Sequence, residues 1–187
     1  MELNRAIQGR KSVKKFSSQK PDWRDIIECI DAARYAPMAG NIYTLKFIIV
    51  DDKDKIQKIA DSCQQPFVAD APYIIVVCSD TKKTINTYEE RGKIYCRQQA
   101  GAAIQNFLLK IEEKGLATCW IGHFVESILK RVLEIPGDIN VEALFPIAYA
   151  TKAIGQARQK KETNIDNILY FDRYGNKKMK PVKKLEV

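Results

Sequence analysis

Three side chains near the start of the chain have the chemistry to hold an anion. Arg10, Ser12 and Lys14 supply a planar guanidinium fork, a hydroxyl and a point charge within five residues. In an extended segment positions i, i+2 and i+4 face one way, so the three can converge on one phosphate-sized group. Lys11 stands between them, and a basic pair with the same alternate spacing, Arg158 and Lys160, lies far down the chain. Other reactive groups are scarce. His123 is the only histidine, and nothing near it suggests a nucleophile–base–acid triad. Cys29, Cys63, Cys78, Cys96 and Cys119 include no CxxC pair, so no metal site is expected from ligands close in sequence. If the protein is an enzyme, a cofactor must carry the chemistry.

The charge is unevenly placed. Residues 1–20 carry +5 and residues 151–187 carry +6, while residues 21–150 carry −3, out of a formal total of +8. Basic ends on a mildly acidic body admit three readings: a nucleic-acid footprint, two segments converging on a small anionic ligand, or a solvated basic surface. The body argues against nucleic acid, since it shows neither a helix-turn-helix pattern nor a basic stripe interleaved with aromatics.

The elements that must position these residues follow from periodicity. Leu3, Ala6 and Ile7 make a short amphipathic start broken by Gly9. Asp22 caps a helix reaching Ala36, with Trp23, Ile26, Ile27, Ile30 and Ala33 on one face, and Pro37 and Gly40 stop it. Phe47–Val50 reads as a strand, and residues 54–62 as a helix with Ile56, Ile59 and Ala60 inward. The run Tyr73-Ile74-Ile75-Val76-Val77-Cys78 reads as a central strand buried on both faces. A long helix spans about 88–114, apolar almost all round between Ala100 and Ile111, and Gly115 closes it. Residues 117–124 form a second core strand, 126–133 a helix, and 141–150 a further strand. Helices alternating with strands imply α/β or α+β layers.

A length of 187 residues suits one domain, with residues 1–150 as its core and 151–187 as a basic C-terminal arm. No apolar run is long enough to span a bilayer, and the first residues do not form a secretory leader. The cytoplasm is the expected compartment.

Several segments together resemble the nitroreductase family of FMN-dependent oxidoreductases. Arg10-Lys11-Ser12-Val13-Lys14-Lys15-Phe16 is similar to its opening R-[RK]-S-[VI]-R-x-F signature. Ala32-Ala33-Arg34-Tyr35-Ala36-Pro37-Met38-Ala39-Gly40-Asn41 resembles A-A-x-x-A-P-S-x-x-N. Gly101-Ala102-Ala103-Ile104-Gln105-Asn106-Phe107-Leu108-Leu109, continuing through Gly115-Leu116-Ala117-Thr118-Cys119-Trp120-Ile121-Gly122, follows its G-A-A-x-Q-N-L-L-L…G-L-G-T-x-W-I-G pattern. Leu133-Glu134-Ile135-Pro136 and Asp172-Arg173-Tyr174-Gly175 fit as well. Met38 departs from the family serine, and Asn41-Ile42-Tyr43-Thr44 from N-x-Q-P.

The resemblance implies an α+β fold, a mostly antiparallel sheet flanked by helices on both faces, in an obligate homodimer centred on the 100–111 helix. It implies that Arg10, Lys11, Ser12 and Lys14, joined by Arg158 and Lys160, hold the FMN phosphate. Pro37, Met38, Ala39 and Asn41 would reach the flavin from the other subunit, and Gln65 would meet its pyrimidine edge. A backbone N–H at Ile121 or Gly122 would face N5 and O4 of the ring; Trp120 is read as core and His123 as surface. No catalytic side chain and no metal is implied. NADH or NADPH would donate a hydride to the flavin, which then passes electrons to a nitroaromatic or quinone acceptor in the same pocket, a ping-pong route. Dehalogenating and flavin-consuming members of the family are an alternative within the class, and a basic nucleic-acid-binding module is one outside it.

Overall fold

Seven consecutive buried residues, Tyr73–Ser79 (β2), form the middle of the fold. Successive side chains of a strand point to opposite faces. Tyr73, Ile75 and Val77 accordingly pack into one apolar cluster with Ile26, Cys29 and Ala33 of α2 (Trp23–Ala33) and with Ala103, Ile104 and Phe107 of α4 (Lys82–Glu113). Ile74, Val76 and Cys78 pack into a second cluster with Ile56, Ile59 and Cys63 of α3 (Lys53–Cys63) and Leu129 of α5 (Glu126–Leu133). Both faces are covered, so the strand shows no polar alternation.

The computed structural model describes residues 1–151 and 163–179. Two compact units divide the chain, Met1–Gly155 and Gln156–Val187. In the first unit, β1 (Leu45–Val50), β2, β4 (Asn140–Ala148) and β3 (Ala117–Thr118) form a four-stranded sheet in the order β1-β2-β4-β3. Every pairing is antiparallel. Leu45 opposes Ser79 and Asn140 lies beyond it at one end; at the other end Tyr73 opposes Ile147 and Ala117 opposes Ala148. The α+β architecture with helices on both faces is the one expected.

Local chemistry accounts for the helix limits. The Asp22 and Asp52 carboxylates accept from the amides of Arg24 and Lys55 and cap α2 and α3. Lys114, whose pKa is raised by the Glu28 and Asp25 carboxylates, ties the end of α4 to α2, with Nζ 2.9 Å from Asp25 and 2.5 Å from Glu28.

Three details differ from the sequence reading. In α2 the buried stripe is Ile26, Cys29 and Ala33, while Trp23 and Ile27 stand exposed. The expected strand over 117–124 shrinks to Ala117–Thr118 and an isolated bridge from Ile121 to Leu144, because β4 bonds the edge only at those points. Helix α4 begins at Lys82 and breaks at Glu89, which adopts φ 50° and ψ −131°. Gly92 makes the crossing there possible: a Cβ on it would meet the Thr84 carbonyl and Ile85 Cα at 2.7 Å. The stripe Ala100, Ala103, Ile104, Phe107, Leu108 and Ile111 packs into the unit's own core, which leaves the opposite face, with Gly101 and Gln105, outside it.

In the second unit, residues 163–179 form a 3-10 turn, Ile165–Asn167, capped by the Asn164 side chain. A second turn is closed by the Phe171 amide donating to the Asn176 carbonyl at 2.9 Å. Ile168, Tyr174 and Met179 are exposed.

Candidate functional site

Helix α1 (Leu3–Gly9) ends at Arg10, and the chain then runs extended across the end of the sheet. Val13 is buried and its amide donates to the Thr118 carbonyl at 2.8 Å. Phe16 bridges Ala150, and the Ser17 amide donates to the Tyr149 carbonyl at 2.8 Å. With Val13 turned into the core, Lys11, Ser12 and Lys14 stand exposed and Arg10 half-exposed.

Lys14 places its Nζ 5.1 Å from the centroid of the Phe67 ring, and Phe16 approaches the same ring at 6.3 Å. The 3-10 turn Pro66–Asp70, with Gln65 as its N-cap, therefore lies beside the basic segment. On another side stands Cys119. Burial pushes its thiol pKa up, opposed by the Ser12 hydroxyl and the Lys14 charge. Ser12, Lys14, Phe67 and Cys119 form one cluster. Arg10 and Lys11 border a cavity of about 160 Å³ with Thr118, Leu116 and Ile111. The Thr118 hydroxyl is buried and has no hydrogen-bond partner among the described residues.

The donor set fits a phosphate monoester. Among the described residues, no carboxylate lies within ion-pair distance of Arg10, Lys11 or Lys14, although ten other ion pairs form. The Arg10 fork and the Lys11 and Lys14 charges are thus left without a carboxylate partner, while the Ser12 hydroxyl faces the Cys119 thiol.

From Cys119 the chain leads directly to Trp120-Ile121-Gly122. Ile121 exchanges two backbone hydrogen bonds with Leu144, each 3.0 Å. Its N–H is therefore engaged in the sheet, which corrects the expectation that it could face a ligand; the Gly122 N–H has no partner among the described residues. Trp120 is 43% exposed, its ring edge-on to Phe145 at 5.5 Å, so it is a rim residue rather than the core residue expected. His123 is exposed.

The turn Pro37–Asn41 lies elsewhere. It enters β1 at the Leu45 end, whereas the Arg10–Phe16 segment lies at the opposite ends of β3 and β4. Across three strand spacings of ~4.8 Å and along a strand of ~20 Å, these are diagonally opposite corners of the sheet. Pro37 and Asn41 are exposed, Ala39 is half-buried, and Met38 packs partly against the core. Gly40 and Asn41 both take the left-handed conformation, φ 57° and 56°. Two residues that the sequence reading passed over hold this turn from α4. Gln99 accepts from the Ala39 amide at 3.2 Å and donates to the Thr44 hydroxyl at 2.7 Å. Tyr88 packs so closely that a Cβ on Gly40 would lie 2.5 Å from its hydroxyl. No local signal marked Gln99, which follows Arg97 and Gln98 in the polar half of the helix, just before the apolar stretch begins at Ala100.

One chain thus gathers Arg10, Lys11, Ser12, Lys14 and the turn after Gln65 at one end of β3 and β4, places Ile121 and Gly122 further along the β4 edge, opposite Leu144 at mid-strand, and keeps Pro37, Met38, Ala39 and Asn41 at the far corner. Arg158 and Lys160 lie outside the described residues. Among the described residues, no three His, Cys, Asp or Glu side chains come together as metal ligands, and no helix is long and apolar enough to cross a membrane.

This sheet, flanked on both faces by helices and carrying at one end a basic segment without carboxylate partners, defines an α+β protein with a candidate anion site. The model of the nitroreductase family matches residues 7–66 and 61–149, and the chain belongs to that family, whose members are FMN-dependent NAD(P)H oxidoreductases. A solved nitroreductase family protein of Clostridium novyi NT is 28% identical, with a TM-score of 0.74 over 94% of this chain and 96% of that one. A provisionally named NADH dehydrogenase/NAD(P)H nitroreductase of Archaeoglobus fulgidus is 28% identical over 153 residues, 79% of this chain and 85% of the relative. An iodotyrosine deiodinase of Thermotoga neapolitana is 24% identical over 166 residues, 75% of this chain and 84% of the relative.

Proposed function

We propose that this oxidoreductase takes a hydride from NADH or NADPH and reduces a small acceptor of nitroaromatic or quinone type by a ping-pong mechanism. The active site is shared between two copies of the chain, in the cytoplasm. One observation carries the flavin site: Arg10, Ser12 and Lys14 stand without carboxylate partners on a segment held in register by the Val13–Thr118 hydrogen bond. These three and Lys11 would grip the phosphate.

Gln65, N-cap of the turn whose Phe67 lies under Lys14, would accept or donate at the polar edge of the ring. The Gly122 N–H would donate to the ring where negative charge grows on reduction. FMN, when bound, supplies the electron and hydride chemistry, and no protein acid or nucleophile is needed. The turn Pro37–Asn41 cannot serve the same chain's phosphate site from the far corner of the sheet. A second copy would bring its own turn there, which is the argument for a shared site.

The decisive test is an absorbance spectrum of the purified protein between 300 and 550 nm, repeated after FMN addition and gel filtration. Retained flavin bands in a dimer-sized peak support the proposal. A protein that passes through colourless removes it. A reading as a reductive dehalogenase is favoured by the deiodinase relative of Thermotoga neapolitana. Release of halide from a halotyrosine by the reduced protein, faster than nitroaromatic turnover, would select it.

A further inference from the structure

We infer that Gln99 is a positioning residue, which sets the geometry of the Pro37–Asn41 turn that the second copy's flavin would meet. The inference rests on the functional reading above and goes beyond it, since Gln99 lies on the long helix and touches no proposed ligand atom.

Gln99 is 4% exposed, in the stretch of α4 where Cys96, Ala100 and Ala103 are buried. A primary amide at such a place is costly unless its hydrogen bonds are made. Here they are made, and all of them leave the helix. The Oε1 atom accepts from the Ala39 N–H at 3.2 Å; Nε2 donates to Thr44 Oγ1 at 2.7 Å and lies 3.5 Å from the Ile42 carbonyl. Thr44 is itself 2% exposed, and its carbonyl accepts from the Asp80 amide at 2.9 Å. One side chain thus ties together the start, the middle and the exit of the turn.

These bonds decide what the turn shows to the outside. The Ala39 N–H is drawn inward to Gln99, and the Ala39 carbonyl accepts from Ile42 at 3.1 Å. The Asn41 N–H is taken by the Met38 carbonyl at 3.1 Å. The Gly40 N–H and the Asn41 side chain have no partner among the described residues and remain available to a ligand. Gly40 and Asn41 sit in left-handed conformations, which persist only where the surroundings hold them. Tyr88 bounds the turn from the side, so Gln99 fixes its height and Tyr88 its lateral position.

The test compares wild type, Gln99→Met and Gln99→Glu for FMN affinity by fluorescence quenching and for the shape of the bound flavin's visible band. Gln99→Met keeps the volume and removes the bonds. It is expected to weaken FMN about tenfold and to alter the band, with the circular dichroism unchanged. Gln99→Glu carries an internal control. Burial raises a carboxyl pKa, and the neutral acid can still accept from Ala39 and donate to Thr44. Relative to wild type at the same pH, this variant is expected to bind FMN nearly as wild type does at about pH 5.5 and to weaken by about pH 8.5, where the carboxylate still accepts from Ala39 but has lost its donor and brings a buried charge. Should Gln99→Met not fold, Gln99→Glu decides alone, because its two states are compared in one protein. An affinity within about twofold of wild type for Gln99→Met with an unchanged band, or a pH-independent Gln99→Glu, overturns the inference. A wild-type protein that takes up no FMN overturns the functional reading, and this inference with it.

Discussion

The amide of Val13 donates to the carbonyl of Thr118 at 2.8 Å, and that bond sets the register of the whole basic segment. A shift of one residue would bury Ser12 or Lys14 and expose Val13, since alternate side chains of an extended chain change sides. The buried valine holds the polar residues on either side of it outward. An apolar residue in the middle of R-K-S-V-K is thus as much part of the proposed anion site as its cations.

The cations should act on the phosphate alone. Arg10→Ala is expected to weaken FMN by roughly ten- to a hundredfold, the loss of a charge-assisted, forked hydrogen bond. Lys14→Ala should cost less, because Lys14 also rests on the Phe67 ring. Riboflavin, which lacks the phosphate, should bind wild type and Arg10→Ala alike. Parallel titrations of the two flavins check this, and equal losses for both would remove Arg10 from the phosphate.

Val13 separates the bond from the packing. Val13→Pro removes the N–H that reaches Thr118 and is expected to lose ~1–3 kcal/mol of stability together with most of the FMN affinity. Val13→Ala keeps the amide, so it should lose stability through packing but retain FMN within a few-fold. Urea midpoints measured beside flavin titrations distinguish the two; a Val13→Pro protein that binds FMN normally would show that register does not matter.

How far the sequence could be read depended on whether a signal was local. The Tyr73–Cys78 run was legible because six apolar residues in a row suit a strand buried on both sides, and Asp22 because capping is decided within three residues. The helix face was harder. Trp23 and Ile27 satisfy helical spacing with Ile26 and Ile30, yet the sheet reaches only the Ile26–Cys29–Ala33 side. The break at Glu89 left no trace, for glutamate does not announce a positive φ; Gly92, three residues on, is the residue the crossing requires. In the candidate site, the Arg10–Lys14 cluster was visible as a pattern. The inward bond of the Ile121 amide and the clamp from Gln99 depend on residues 23 and 60 positions away, a pairing that only the fold supplies.

Alkaline pH should loosen the fold through its buried thiols. Burial above all pushes the Cys29 thiol up to about 12 and the Cys78 thiol up to about 11. In the unfolded chain such thiols release their protons near pH ~8.5. Above that pH the unfolded state binds fewer protons than the folded one, so stability falls as pH rises. The contribution is complete below about pH 8.5 and is lost as pH climbs toward the folded values. Replacing Cys29 by Ala removes one such group. The stability gap between wild type and Cys29→Ala should therefore narrow between about pH 8 and pH 10.5 in urea titrations, and a constant gap would contradict the assignment.

The last prediction concerns the contact that bounds the Pro37–Asn41 turn. Gly40→Ala meets two penalties. A Cβ at φ 57° costs about 1–2 kcal/mol on backbone grounds. The same Cβ would lie 2.5 Å from the Tyr88 hydroxyl, which must move or push the turn aside. The two penalties can be told apart. Tyr88→Phe removes the hydroxyl and leaves the ring carbon behind it 3.3 Å from the new Cβ, tight but near ordinary contact. In the double variant the steric penalty should fall and the backbone penalty remain. A cycle of wild type, Gly40→Ala, Tyr88→Phe and the double variant is thus expected to give a coupling energy above about 0.5 kcal/mol in thermal or urea unfolding. The bound flavin's visible band should follow the same order, most perturbed in Gly40→Ala and partly restored in the double variant. Strict additivity in both measurements would mean that Tyr88 does not wall the turn and that its position is set by Gln99 alone.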